Sequence, residues 1–379
     1  MSRKIKVAYI VHGLGAEGIS SFTVNLMSRL DMDKYDISII MSVDDNGEPQ
    51  KREAEVKAFG VKFYRTCDLQ TTSRIKRHLE LLEEILVKTG PYDAVHVNMD
   101  MLNGLNLKVA KKAGVPVRIS HSHTSGGKRY SNPVKNVAVN FYRCFMRHRI
   151  NKYATHRIGC SDFANSYLYN NYESHVVING IDTNKFLETN VDIKECRASL
   201  KVPENNKIIV AVARIEEIKN PFYTVKIISE LAKIRDDFTF VWIGDGHLRK
   251  DMEKCVSENN LNDKYLFAGI RTDVPQILKC ADIFLLPSLR EGLPISAVEA
   301  QCSGCDCVIA DTVTRLVDGG KCTFLPIGEN DTVKWAEKIN ELLDAEKTVL
   351  SEATISNFDV QTMADRVAEF YDLAKLQKQ

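Results

Sequence analysis

Short runs of Val, Ile and Leu recur along the chain at intervals that leave room for one amphipathic helix between each pair. In the first half the runs fall at residues 5–11, 37–43, 94–97, 115–120 and 156–160. In the second half they fall at 208–213, 238–243, 265–268, 282–286, 308–310 and 322–325. Apolar runs without alternation, separated by helix-length segments, predict strands buried on both faces and joined by crossover helices, hence parallel sheets. Between the two series, residues 183–206 are polar, charged and interrupted by Pro203, which places a junction near Asp182. The expected architecture is α/β, two Rossmann-like doubly wound domains facing across a cleft. Residues 1–182 form the first, 183–355 the second, and the helical pattern in 356–379 is expected to pack back on the first. Such sheets bind ligands beyond the carboxyl ends of their strands, so the chemistry is expected in the loops that follow them.

Composition narrows the function only a little. The 379 residues carry 51 Lys and Arg against 50 Asp and Glu, a formal charge of +1, so no global field draws the chain to nucleic acid or membrane. No apolar run approaches the roughly 18 residues needed to span a bilayer. The ten cysteines lie among hydrophobic neighbours and read as reduced core residues. Together these predict a cytoplasmic protein, with any membrane contact confined to the inner face.

Local charge is less even. From Met101 to Ser161 there are twelve Lys and Arg and no Asp or Glu. Inside that stretch Val134, Ala138, Phe141, Phe145 and Met146 fall near helical spacing, with Arg143, Arg147, Arg149 and Lys152 among them. Segment 128–157 therefore reads either as a basic amphipathic surface for anionic lipid and diphosphate head groups or as a core helix with a basic outer side. No aromatic-basic platform accompanies the charge, so nucleic acid is not expected.

The loops after the strands hold the candidate chemistry. "REGLPISAVEAQCSGCDC", from Arg290, contains two glutamates and three cysteines. Cys302, Cys305 and Cys307, with Cys322 as a distant fourth, offer thiols to zinc, but Cys302 shares an apolar helical row with Ile295 and Val298, and Cys307 opens a strand. Pro294 suits a first helical turn and Gly304 the position past its end, leaving Glu291 in the loop before the helix and Glu299 on its second turn. First-turn N–H groups, beside Leu293 and Ile295, make a phosphate seat, and two carboxylates nearby accept hydrogen bonds from sugar hydroxyls.

Gly13, Gly15 and Gly18 spell G-x-G-x-x-G after a strand and before a helix, with Asp44 or Asp45 near the place of the acidic partner. This supports a rival reading as an NAD(P)-dependent oxidoreductase, and a non-catalytic nucleotide- or glycan-binding protein is a third. "RISHSHTSGG" ends another strand with His121 and His123 two apart, on one side of it. A paired-histidine metal site there lacks an acid within 101–161.

"EGLP", four residues, then "EA" resembles the signature of retaining glycosyltransferases of family 4, which have the GT-B fold. "ARIEEIKNP", "IGDG" and "INGIDTNKF" match the same family, and the resemblance is nearest to bacterial enzymes of capsule and exopolysaccharide synthesis. It implies that Arg214 and Lys219 hold the diphosphate of a nucleotide-sugar donor, most often UDP-linked. It implies that Glu299 accepts the ribose hydroxyls and Glu291 those of the donor sugar, while Gly244 and Gly246 leave backbone bare near the nucleotide. His123, in the "HTS" context, is implied near the reacting sugar, and the Gly15–Gly18 loop near phosphate and acceptor. No metal or other cofactor is implied, and the acceptor is expected to be a glycan, carried on a lipid or free. The family usually has two adjacent glycines and a glutamate where this chain has Glu17, Gly18, Ile19 and Ser20.

Overall fold

The computed structural model describes residues 3–15, 18–46, 48–127 and 131–376; Glu17 and the start of the basic segment, 128–130, lie outside them. The chain divides into two compact units, Met1–Gly180 with Val360–Gln379, and Ile181–Asp359.

The first unit holds a seven-stranded sheet. Its strands are β1 (Ile5–Val11), β2 (Tyr35–Met41), β3 (Lys62–Arg65), β4 (Ala94–Asn98), β5 (Val117–Ser122), β6 (His156–Gly159) and β7 (His175–Val176), in the order β3-β2-β1-β4-β5-β6-β7. Every pairing is parallel. Strands β3 and β7 have no counterpart among the apolar runs. β3 is a four-residue edge with no buried side chain, and β7 is only two residues long. β5 starts two residues later than its apolar run, because Val115 closes the preceding helix by donating its N–H to Ala110 O at 3.0 Å. That shift keeps His121 inside the strand and puts His123 just beyond it.

Helix Val360–Leu376 belongs to this unit. Val360, Met363, Ala364, Val367, Tyr371 and Ala374 are buried in the same core as Val7, Tyr9 and Ile39. The Lys34 ammonium meets the Asp372 carboxylate at 2.6 Å at its edge.

The second unit holds a six-stranded parallel sheet: β8 (Lys207–Val212), β9 (Phe238–Ile243), β10 (Tyr265–Gly269), β11 (Ile283–Leu286), β12 (Asp306–Ala310) and β13 (Cys322–Leu325), in the order β10-β9-β8-β11-β12-β13. Ile208–Ala211 and Ile283–Leu286 are buried outright, as continuous apolar runs in a doubly covered sheet should be. Strand order reverses between β1 and β4 in the first sheet and between β8 and β11 in the second. Those reversals are the switch points where ligand crevices form.

The cysteine cluster is core. Cys305 Sγ donates to Leu278 O at 3.2 Å and Cys307 Sγ to Ala297 O at 3.8 Å. Burial pushes the Cys302 and Cys305 thiols up to about 12, away from the thiolate a metal requires. Among the described residues no three His, Cys, Asp or Glu side chains are grouped to hold a metal ion.

Candidate active site

The loop after β8 is shaped to present a lysine. A 3-10 turn, Glu217–Lys219, closes with the Lys219 N–H on Glu216 O at 3.0 Å. Asn220 then takes a left-handed conformation at φ 55°, which asparagine tolerates well, and Pro221 starts the next helix at its first position. This is the physical content of "KNP". The Lys219 ammonium meets Glu291 Oε1 at 2.6 Å, with the two side chains only 18% and 13% exposed. Leu289 N–H donates to Ile218 O at 2.9 Å, so the loops after β8 and β11 are tied at the switch point by backbone as well as by charge.

Arg214 stands at the same end of β8. Its side chain is 66% exposed and touches Glu216 Oε1 at 2.8 Å. The backbone around it is held by the two glycines after β9. A Cβ on Gly244, which has φ 129°, would lie 2.1 Å from Ala213 O, and one on Gly246 would lie 2.3 Å from Ile215 O. Ile215 N–H donates to Asp245 O at 3.0 Å, and Trp242 Nε1 donates to Ala213 O at 2.8 Å. The observed work of Gly244 and Gly246 is thus to let the β9 exit close against the Arg214 loop.

Helix Ile295–Cys302 starts one residue after Pro294 and ends at a left-handed Gly304, φ 101°. Leu293 is buried and Ile295 half-buried at its first turn, where the leading N–H groups have no intrahelical acceptor. Glu299 lies half-buried on this helix, its carbonyl accepting from Ser303 N–H at 3.0 Å and its carboxylate making no hydrogen bond among the described residues. Burial pushes its carboxyl from an ordinary 4.5 up to about 7, with Lys185, from the "IDTNKF" stretch, pulling the other way.

That placement has a signed pH consequence. If Glu299 accepts ribose hydroxyls, as the resemblance implies, a nucleotide seated there would draw the proton off its carboxyl. Below pH 7 wild-type affinity for UDP should fall relative to Glu299→Gln, approaching about tenfold per pH unit. Without ligand the sign is opposite. A carboxyl raised in the folded state stabilises it below the unfolded value, and that contribution is lost as pH rises through 7. Glu299→Gln should therefore raise Tm more at pH 8 than at pH 5; equal affinity ratios and equal Tm shifts at both pH values would remove Glu299 from this role.

In the first unit, His123 follows β5 half-buried, and its Nε2 donates to Asn98 Oδ1 at 2.8 Å. That leaves Nδ1 with its lone pair, and burial holds the imidazole neutral by lowering its pKa to about 3. His121 is fully buried behind it, ring centroids 4.0 Å apart, and its Nδ1 meets His96 Nε2 at 3.1 Å. His96 Nδ1 in turn meets the Tyr371 hydroxyl at 2.7 Å. His123 is thus the accessible member and His121 part of its support. Asn98, His96 and Tyr371 were not singled out in the sequence; the one signal was a polar triplet, His96, Asn98 and Asp100, alternating at the end of a buried strand.

The glycine fingerprint fares differently. A Cβ on Gly15 or Gly18 would meet nothing within 4 Å, and neither has a positive φ. Only Gly13 is crowded, 3.1 Å from Gln50 Oε1. Asp44 is paired with Arg74, and Asp45 lies 4.0 Å from Arg65. The close helix–strand packing and free acid that the dinucleotide motif needs are not met here.

Comparison with known proteins decides the class. Residues 192–373 match the family described as "Glycosyl transferases group 1", and residues 17–178 match "Glycosyl transferase 4-like domain". The chain belongs to family 4 of the glycosyltransferases. It is 29% identical to the putative glycosyltransferase EpsF of Bacillus subtilis, over 89% of this chain and 88% of that one. It is also 29% identical to the Escherichia coli UDP-Gal:alpha-D-GlcNAc-diphosphoundecaprenol alpha-1,3-galactosyltransferase, over 84% and 81%. Anabaena HepE, solved in complex with UDP, aligns over 100% of both chains with TM-score 0.76 at 17% identity. A glycosyltransferase from Rickettsia africae aligns over 99% of both with TM-score 0.77 at 18% identity. The fold is GT-B, and the protein is an enzyme that transfers sugars.

Proposed function

We propose that this glycosyltransferase moves a hexose from a UDP-sugar to a glycan carried on a lipid diphosphate, with retention of anomeric configuration, in capsule or exopolysaccharide assembly. The half-buried Lys219–Glu291 pair at the second sheet's switch point carries the reading: a cation and a sugar-binding carboxylate are held together where a ligand crevice forms. The UDP in HepE and the diphosphoundecaprenol acceptor in the name of the E. coli relative support the choice of donor and acceptor.

Arg214 and Lys219 bind the diphosphate and stabilise the charge that grows on it as the glycosidic bond breaks. N–H groups near Leu293 and Ile295 add to that field, Glu291 receives hydroxyls of the donor sugar, and Glu299 those of the ribose. His123, neutral with Nδ1 open, serves the transferred sugar, and Gly15 and Gly18 serve phosphate and acceptor. The anomeric carbon–phosphate oxygen bond breaks with its electrons going to the leaving UDP. The acceptor oxygen bonds the same face of that carbon, and its proton passes to the departing phosphate oxygen. Fixed cations take the place of a divalent metal, so none is required.

Incubation of UDP-sugars with a synthetic diphosphate-lipid glycan in EDTA, followed by NMR of the product, tests this. Release of UDP and a product with the donor's anomeric configuration are expected. An inverted product, or activity abolished by EDTA and restored by metal, contradicts it, and nucleotide binding without UDP release would leave only a binding protein.

A further inference from the structure

Helix Pro133–Tyr153 is the least covered long element of the first unit. Asn132 caps it, accepting from Lys135 N–H at 3.1 Å, and proline occupies its first turn. Of its 21 residues only Met146 and Ile150 are buried, in a small cluster with Met101, Leu168 and Tyr169. The sequence pattern grouped Met146 with Val134, Phe141 and Phe145, but the structure separates them. Val134, Val137, Phe141 and Phe145 are 75%, 70%, 77% and 47% exposed. Their spacing, i, i+3, i+7 and i+11, sets them in one stripe, and at 3.6 residues per turn it faces roughly away from Met146 and Ile150. Single exposed apolar side chains are ordinary, but four aligned on one helix are an interaction surface.

The charges around the stripe select its partner. Lys135, Arg149 and Lys152 flank or continue it, and the Arg149 guanidinium lies 4.6 Å over the Phe145 ring. Arg147 is anchored inward, donating to Tyr167 O at 2.7 Å. No carboxylate occurs between Met101 and Ser161. A second copy of the chain would bring the same cations against these, a like-charge cost that an anionic partner turns into attraction. Among the described residues no helix is long and apolar enough to cross a membrane. A helix with an apolar stripe and a cationic border lies in the plane of the interface instead.

We propose that helix Pro133–Tyr153 seats the enzyme on an anionic lipid bilayer, with Val134, Val137, Phe141 and Phe145 among the acyl chains and Lys135, Arg149 and Lys152 at the head groups. This extends the acceptor proposed above, since a diphosphate-linked glycan is reached at that surface, yet the contact itself needs neither donor nor acceptor.

Flotation of the full chain, without nucleotide, on phosphatidylcholine vesicles with and without phosphatidylglycerol tests it. Binding is expected only with phosphatidylglycerol and should fall steeply with salt. The double variant Phe141→Ser, Phe145→Ser should bind about tenfold more weakly or worse, from lost apolar burial. Lys135→Gln with Lys152→Gln should flatten the salt dependence. On a short water-soluble acceptor the Phe141, Phe145 variant should keep wild-type turnover, and on a vesicle-borne acceptor lose it. Unchanged flotation of that variant, equal binding to uncharged vesicles, or a concentration-dependent dimer abolished by the same substitutions would overturn the proposal. A wrong donor would show as absent UDP binding with flotation intact, so the two failures are separable.

Discussion

Lys219→Ala should lower kcat by about 100- to 1,000-fold with little change in fold, because it removes the cation proposed to stabilise the leaving diphosphate. The companion variant separates this from a general structural role. The Lys219 ammonium is paired with the Glu291 carboxylate at 2.6 Å. Glu291→Gln keeps a hydrogen-bonding side chain of the same shape but frees the lysine's charge. UDP should then bind about fivefold to tenfold tighter while turnover of the UDP-sugar falls, since a neutral amide with one acceptor oxygen replaces the carboxylate proposed to hold the donor sugar. Lys219→Ala should instead weaken UDP by about 2 kcal/mol or more, because Glu291 is left unpaired and facing phosphate. A merely structural pair would lose affinity in both variants, together with Tm.

The second large effect is on stability. Gly244→Ala should cost about 3–5 kcal/mol, since φ 129° strains any side chain and the new methyl would collide with Ala213 O at 2.1 Å. Backbone cannot yield there cheaply: the same carbonyl accepts from Trp242 Nε1 at 2.8 Å. Both tryptophans of the chain, Trp242 and Trp335, lie in the second unit, so tryptophan fluorescence during urea unfolding reports this unit alone. Gly304→Ala is the control. It has φ 101° with no atom near its Cβ, so only the conformational strain is felt, about 1–2 kcal/mol. An equal cost for the two would mean that crowding at the Arg214 loop contributes nothing, and Gly244→Ala at wild-type stability would refute the packing outright.

The parallel α/β layout was readable from the sequence because its central strands are continuous apolar runs, as in β8 and β11, and that pattern has few alternatives. Edge strands escaped for the converse reason: Lys62–Arg65 and His175–Val176 are short and half in water, so they carry no such run. The place of Glu291 before a short helix and of Glu299 on it was legible, because Pro294 and Gly304 mark that helix's two ends. The support for His123 was not. Asn98 is 25 positions away, and the His96–Tyr371 contact spans 275, set by sheet order and by where the last helix packs. Gly15 and Gly18 match the dinucleotide motif in letters, yet the backbone there does not require glycine.

Titration calorimetry of UDP, GDP, ADP, NAD and NADP into the metal-free protein, repeated with Lys219→Ala and Glu291→Gln, separates a UDP-sugar site built on this ion pair from a dinucleotide site. UDP should bind without metal, more weakly in the first variant and more tightly in the second. NAD or NADP binding in place of UDP, or UDP binding indifferent to both substitutions, would contradict it.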